Sequence, residues 1–230
     1  MERQFDEELK NLRALLMRMA SLVEESIAQA VRALKTSDEK AAREVLERED
    51  DVNLMDIEVD GSCLRLLALK QPMAGDLRFI TSAMKIGEEL ERMGDLAVNI
   101  AERTLELIKL PPLKPLIDIP RMALLAQNMV RDVITAFVNG DEKLAREVCR
   151  RDDEVDNLND QIFRELLTYM MQDPGNISRA VGLILIGRHL ERIADHATNI
   201  GEAVFYLVEG KTIKHHIESR DAQKGKGESR

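Results

Sequence analysis

Glu91, Asp95, Asn99 and Glu102 stand on a short stretch of chain, and the same four residue types return one hundred positions later as Glu191, Asp195, Asn199 and Glu202. The phrase around them, Leu-Glu-Arg-x-x-Asp-x-Ala-x-Asn-Ile-x-Glu, is identical from Leu90 to Glu102 and from Leu190 to Glu202. A helix that repeats for packing reasons must keep its apolar positions, but nothing in packing brings the polar ones back letter for letter. Carboxylates four residues apart on a helix repel each other, so something is expected to compensate them. A cation is one candidate. All-oxygen donors suit hard ions such as magnesium, manganese or calcium, and bridging carboxylates also suit iron. Thiolate-rich zinc chemistry is excluded by the ligand type.

The elements that must position these groups are helices. At about 100° per residue, with Glu91 at zero, Asp95, Asn99 and Glu102 fall near 40°, 80° and 20°. Leu90, Met93, Ala97 and Ile100 fall between about 180° and 260°, so the polar stripe is expected to face away from the core. In the helix preceding each motif, Glu49, Asn53, Asp56 and Asp60 make a similar stripe, as do Asp152, Asp156 and Asn159 in the second copy. If the two helices lie antiparallel side by side, each copy offers two facing ridges of carboxylates and carboxamides.

The copying reaches beyond the motif. Residues 75–102 and 175–202 agree at 11 of 28 positions, including Gly87/Gly187, and Asp38 to Val45 agrees with Asp141 to Val148 at 7 of 8. A period near one hundred is too long for a solenoid unit of about 20–50 residues, so a domain has been duplicated. Apolar three-four spacing and the stop signals at Thr36-Ser37-Asp38, Gln71-Pro72, Asn139-Gly140-Asp141 and Asp173-Pro174-Gly175 predict six helices. These cover about Phe5–Leu34, Glu39–Leu69, Ala74–Leu110, Pro120–Val138, Glu142–Met171 and the stretch up to Glu209. The expected architecture is all-α: two tandem three-helix bundles over 1–110 and 121–210, a proline-rich stiff linker over 111–120, and a flexible tail over 211–230.

Composition agrees. The chain has 230 residues, 44% hydrophobic, 33% charged and 3% aromatic, with no Trp, and no period-two strand pattern. Its net charge is −9, and because residues 211–230 hold six basic and three acidic groups, the first 210 carry −12. Such a body repels nucleic acid. A bare phosphate site is equally disfavoured, although a bound cation would reverse the local sign. Cys63 and Cys149 occupy non-equivalent places and suit a reducing cytosol better than a disulfide framework. No signal or spanning segment is found, so a cytoplasmic location is expected.

Blander readings stand beside the metal one. A charged stripe can simply be solvated, Glu91 can pair with Arg188 or Lys85, and Arg92 and Arg192 can serve as ion-pair anchors. His196 is matched by Leu96, so a duplicated site does not need it, and His215 and His216 lie in the tail. A ferritin-type oxidase or metal store, the alternative class, would place its carboxylates inside a four-helix core. No Gly-x-x-x-x-Gly-Lys-Ser/Thr loop supports a nucleotide enzyme, and no basic amphipathic helix supports a membrane-surface role.

The doubled motif, the Gln71-Pro72-x-x-x-Asp76-Leu77-Arg78 turn, Leu167-x-Tyr169-Met170-Met171 and Tyr206-x-x-x-Gly210 together resemble the PhoU family of phosphate-transport regulators over about residues 5–215. That resemblance implies a non-enzymatic adaptor with metal clusters on the bundle surface. It would link the ATPase subunit of the phosphate ABC transporter to a sensor histidine kinase and restrain the phosphate-starvation response. The implied metals, with oxygen ligands, are Fe, Mn, Mg or Zn. The ligands it implies are Glu49, Asn53, Glu91, Asp95 and Asn99 in the first copy, and Asp152, Asp156, Glu191, Asp195 and Asn199 in the second. Glu102, Glu202 and Asp60 rank below them. Asn53 stands where the second copy has Asp156, so weaker metal binding is expected at the first site. A homodimer and membrane contact only through partners complete the expectation.

Overall fold

The computed structural model describes residues 2–70 and 72–210. Met1, Gln71 of the expected turn, and the tail with His215 and His216 lie outside the described residues. The described chain is helical: α1 (Glu2–Thr36), α2 (Glu39–Glu47), α3 (Glu49–Lys70), α4 (Ala74–Leu107), α5 (Asp118–Asn139), α6 (Glu142–Gln172) and α7 (Ile177–Glu209), with a single 3₁₀ turn at Pro174–Asn176 before α7.

The helix starts follow from local chemistry. Asp38 accepts a hydrogen bond from the Ala41 amide, and Asp141 accepts one from the Leu144 amide, both at 3.0 Å. Each thereby satisfies an amide that the first helical turn leaves without a partner. The residue before each cap turns left-handed, Ser37 at φ 54° and Gly140 at φ 63°. The one departure from the expected six helices is a break at Arg48, which splits the second into α2 and α3. Arg48 stays in a right-handed conformation (φ −82°, ψ −10°), and its carbonyl accepts from both Asp51 and Val52. No glycine or proline signals the break. Its counterpart Arg151 sits inside the unbroken α6.

The copies do not stand apart. In the first, α4 packs against α1, α2 and α3; in the second, α7 packs against α5 and α6; and α4 also lies along α7 and α1 along α5. Apolar residues of both copies join in one continuous core, from Leu12 and Met19 through Ile86 and Met93 to Ile186 and Ile193. Glycines allow the close approaches. A Cβ at Gly94 would stand 3.0 Å from Val52 Cγ1, and one at Gly201 would stand 2.9 Å from Cys149 Sγ. Residues 111–117 form no helix, yet Leu113 and Leu116 pack on the core, Lys114 pairs with Glu165, and Arg179 donates to the Pro111 carbonyl at 3.0 Å. Among the described residues no helix is long and apolar enough to cross a membrane.

Candidate functional site

The register of α3 on α4 is fixed by small residues under branched ones. Val52 covers Gly94, and Val59 together with Asp56 covers Gly87, where an added Cβ would stand 2.9 Å from Asp56 Oδ1. The helices are therefore antiparallel, and this registration lays the polar stripe of α3 against that of α4. The second copy repeats the device, with Asn159 Oδ1 3.0 Å from the Cβ position of Gly187. Asp56 and Asn159 thus hold equivalent places at the seam of each helix pair. Their angular positions lay on the ridge in the sequence, but the family motif did not single them out.

The first ridge gathers negative charge. Burial raises the Glu49 carboxyl above its ordinary pKa, and repulsion from Asp95, Asp50 and Glu102 adds to the rise. Glu91 is raised by burial, then by Asp95 and Asp56, against a smaller opposing pull from Arg92. Asp56 is raised by burial and by Asp60 and Glu88. Near the same crevice the Asn53 side-chain oxygen is buried without a hydrogen-bond partner. A buried carboxamide oxygen that shares a crevice with carboxylates and has no donor is one a cation would satisfy.

The second ridge is built likewise. Asp156 is raised by burial, then by Asp195, and Glu191 is raised by burial, Asp195 and Asp156. Asp152 and Glu202 lie near Cys149, whose thiol is pushed up to about 11 by burial and by those two carboxylates. Both cysteines are free, and Cys63, fully buried, is pushed up to about 12. α3 and α6 do not touch each other, so the two ridges lie on separate flanks of the body.

Several expectations change at side-chain level. The stripes are not on the outermost face: Glu49, Asn53, Glu91, Asp95 and Asn99 are half-buried along the α3–α4 flank, while Glu102 is exposed. In the second copy Asp152 and Glu191 are half-buried, and Asp156, Asp195 and Asn199 are exposed. Arg92 pairs with Glu88 along its own helix at 2.5 Å, beside the carboxylates of the first ridge. Glu91 forms no ion pair with Arg188 or Lys85. Asn199 turns toward the other copy and donates its amide to Glu89 Oε2 at 3.2 Å, beside the contact of His196 Nδ1 with the same oxygen at 2.6 Å. His196 therefore belongs to the seam between the copies rather than to a ridge. Among the described residues no three His, Cys, Asp or Glu side chains converge closely enough to hold a metal ion unaided.

Comparison with known proteins supplies the context. The PhoU domain model matches the chain twice, over residues 16–104 and 119–204. A phosphate-specific transport system accessory protein PhoU homolog from Aquifex aeolicus is 45% identical over 214 residues, 93% of this chain and 97% of that protein. The crystal structure of PhoU from Pseudomonas aeruginosa superposes with a TM-score of 0.86 at 40% identity, covering 90% of this chain and 100% of the other. The structure of the phosphate transport system regulatory protein PhoU from Streptococcus pneumoniae gives 0.84 at 30% identity, covering 92% and 100%.

Proposed function

We propose, from the premise that this chain belongs to the PhoU family, that it is an accessory protein of a phosphate-specific transport system and binds metal through its two carboxylate ridges. The accessory role is supported by near full-length similarity to proteins so named. Its finer form is that of a cytoplasmic, non-enzymatic adaptor, a homodimer in its working state. It would contact the transporter's ATPase subunit and a sensor histidine kinase and hold the starvation response off while phosphate is plentiful.

The observation that carries the metal reading is the accumulation of mutually repelling carboxylates around a buried, unpaired Asn53 oxygen. In the first copy Glu49, Asn53, Asp56, Glu91 and Asp95 would hold the ion; in the second, Asp152, Asp156, Glu191 and Asp195 would. When bound, a hard cation supplies positive charge that ties each pair of helices and inverts the repulsion between them. The residues themselves set the surface: α3 is held in register by Val52 and Val59 over glycines of α4, α6 by Cys149 and Asn159 over glycines of α7, and their carboxylates decide its charge.

Two experiments test this. A strain without the protein should express its phosphate-scavenging genes in phosphate-rich medium, and the wild-type gene should silence them; unchanged expression removes the adaptor reading. Full-length protein equilibrated with iron, manganese, magnesium or zinc should retain metal on gel filtration, and Asp95→Asn combined with Asp195→Asn should lose it. Absence of retained metal in the wild type removes the metal reading. With Asn53 opposite Asp156, Asp95→Asn alone should spare the tighter site and Asp195→Asn alone the weaker one.

A further inference from the structure

α1 and α3 leave an open groove of about 890 Å³ on the first copy. Its apolar lining comes from Met17 and Leu22 of α1 with Leu54 and Met55 of α3. Met17 and Leu54 are 49% and 64% exposed, large values for side chains that would gain from cover. Its rim carries Glu25, Asp51 and Glu58 against a single base, Arg18. Glu25 is engaged with Arg48 at 3.3 Å, whereas Arg18, Asp51 and Glu58 form no ion pair among the described residues.

The duplicated copy serves as an internal control. Arg121 and Glu154 occupy the places of Arg18 and Asp51 and bridge α5 to α6 with an ion pair at 3.0 Å. Gln161, in the place of Glu58, reaches Asp118 at 3.4 Å. Asn157 replaces Leu54 and donates to its own helix at the Asp153 carbonyl. The same place in the fold thus carries polar bridges between its helices in one copy, whereas Arg18, Asp51 and Glu58 form none in the other.

We infer that the α1–α3 groove docks an amphipathic helix of a partner protein, apolar on one face and basic along its flank. Two antiparallel helices present a trough that a third can fill with side chains at three-four spacing. The acidic rim selects positive charge beside that apolar face. A second copy is disfavoured as occupant, because a two-fold contact would set the same acidic rim against itself in a body already carrying −12 over its first 210 residues. Anionic membrane is disfavoured for the same reason.

The choice of probe rests on the transport-system reading. Binding of full-length protein to the phosphate transporter's ATPase subunit is measured by calorimetry at low and physiological ionic strength. Leu54→Asn, the residue the second copy uses, should weaken it at least about tenfold, as for a truncated interface anchor. Asp51→Lys with Glu58→Lys should weaken it similarly and flatten its salt dependence. Arg121→Ala, at the equivalent place in the second copy, should leave it unchanged. Wild-type binding that both groove variants retain overturns this inference and leaves the transport reading intact. Variants that alter only self-association in sedimentation assign the groove to a second copy and overturn it too. No binding by the wild type removes the transport reading and the inference together.

Discussion

At the residue scale, the ridges join two properties that pull against each other: carboxylates shielded enough to be strong ligands, and carboxylates that repel when no cation is present. Glu49, Asp56 and Glu91 in one ridge, and Asp156 and Glu191 in the other, all have raised pKa values, with burial as the first cause and neighbouring carboxylates as the second. A folded-state pKa above the unfolded one means that the folded protein binds the proton more tightly, so the contribution is present below the unfolded value near 4 and is lost as pH rises through the folded pKa. Metal-free protein should therefore melt higher at about pH 5 than at pH 7, and a bound hard cation should abolish the difference by replacing the protons. Calorimetric melting with chelator and with added manganese measures both; a metal-free Tm that rises with pH across that window contradicts the account. Glu91→Gln removes one repelling charge and should raise the metal-free Tm at pH 7, by about 2–4 °C per kcal/mol gained, while lowering metal uptake.

At the element scale, duplication offers a paired comparison at every turn. Ser37 and Gly140 precede equivalent Asp caps and both stand left-handed, but only glycine adopts that conformation without a Cβ penalty of about 1–2 kcal/mol. Ser37→Gly should stabilise the protein by about 0.5–1 kcal/mol, the gain reduced by the greater freedom glycine has when unfolded. Denaturant midpoints measure it, and a loss of stability would show that the serine is favoured locally. Such turns were legible because the Asp-Glu-Lys caps and the Pro/Gly breaks are local signals. So were the helix order and the ridge angles, which depend only on helical period. The break at Arg48 was not legible, since it arises in a run with no breaker residue. Nor was the seam role of Glu89, His196 and Asn199: that contact joins residues 107 and 110 positions apart, and the copies differ there, with His196 against Leu96, so repetition gave no signal. Glycine at 87 and 187 could have pointed to Asp56 and Asn159, because both glycines lie on the face toward the preceding helix.

At the scale of the whole molecule, the two copies are one structural unit. Their long helices α4 and α7 run antiparallel along the seam: Leu107 covers Gly182, Glu89 meets His196, and Arg78 donates to the Leu207 carbonyl at 3.3 Å. Phe79 of α4 stacks on Phe137 of α5 with centroids 5.1 Å apart, under the Arg13 guanidinium of α1, and Arg131 of α5 pairs with Glu24 of α1 at 2.9 Å. A seam this apolar and continuous couples the copies far more strongly than the usual polar contact between domains. Unfolding should therefore be a single transition in which calorimetric and van't Hoff enthalpies agree. Glu89 tests the coupling: burial tends to raise its carboxyl, but hydrogen bonds from His196 and Asn199 outweigh that and leave it lowered. Glu89→Ala strands both partners at the seam and should cost about 1–3 kcal/mol, displacing the whole transition rather than splitting it. Two resolved transitions, with the variant shifting only one, would mean that the copies fold independently despite the shared seam.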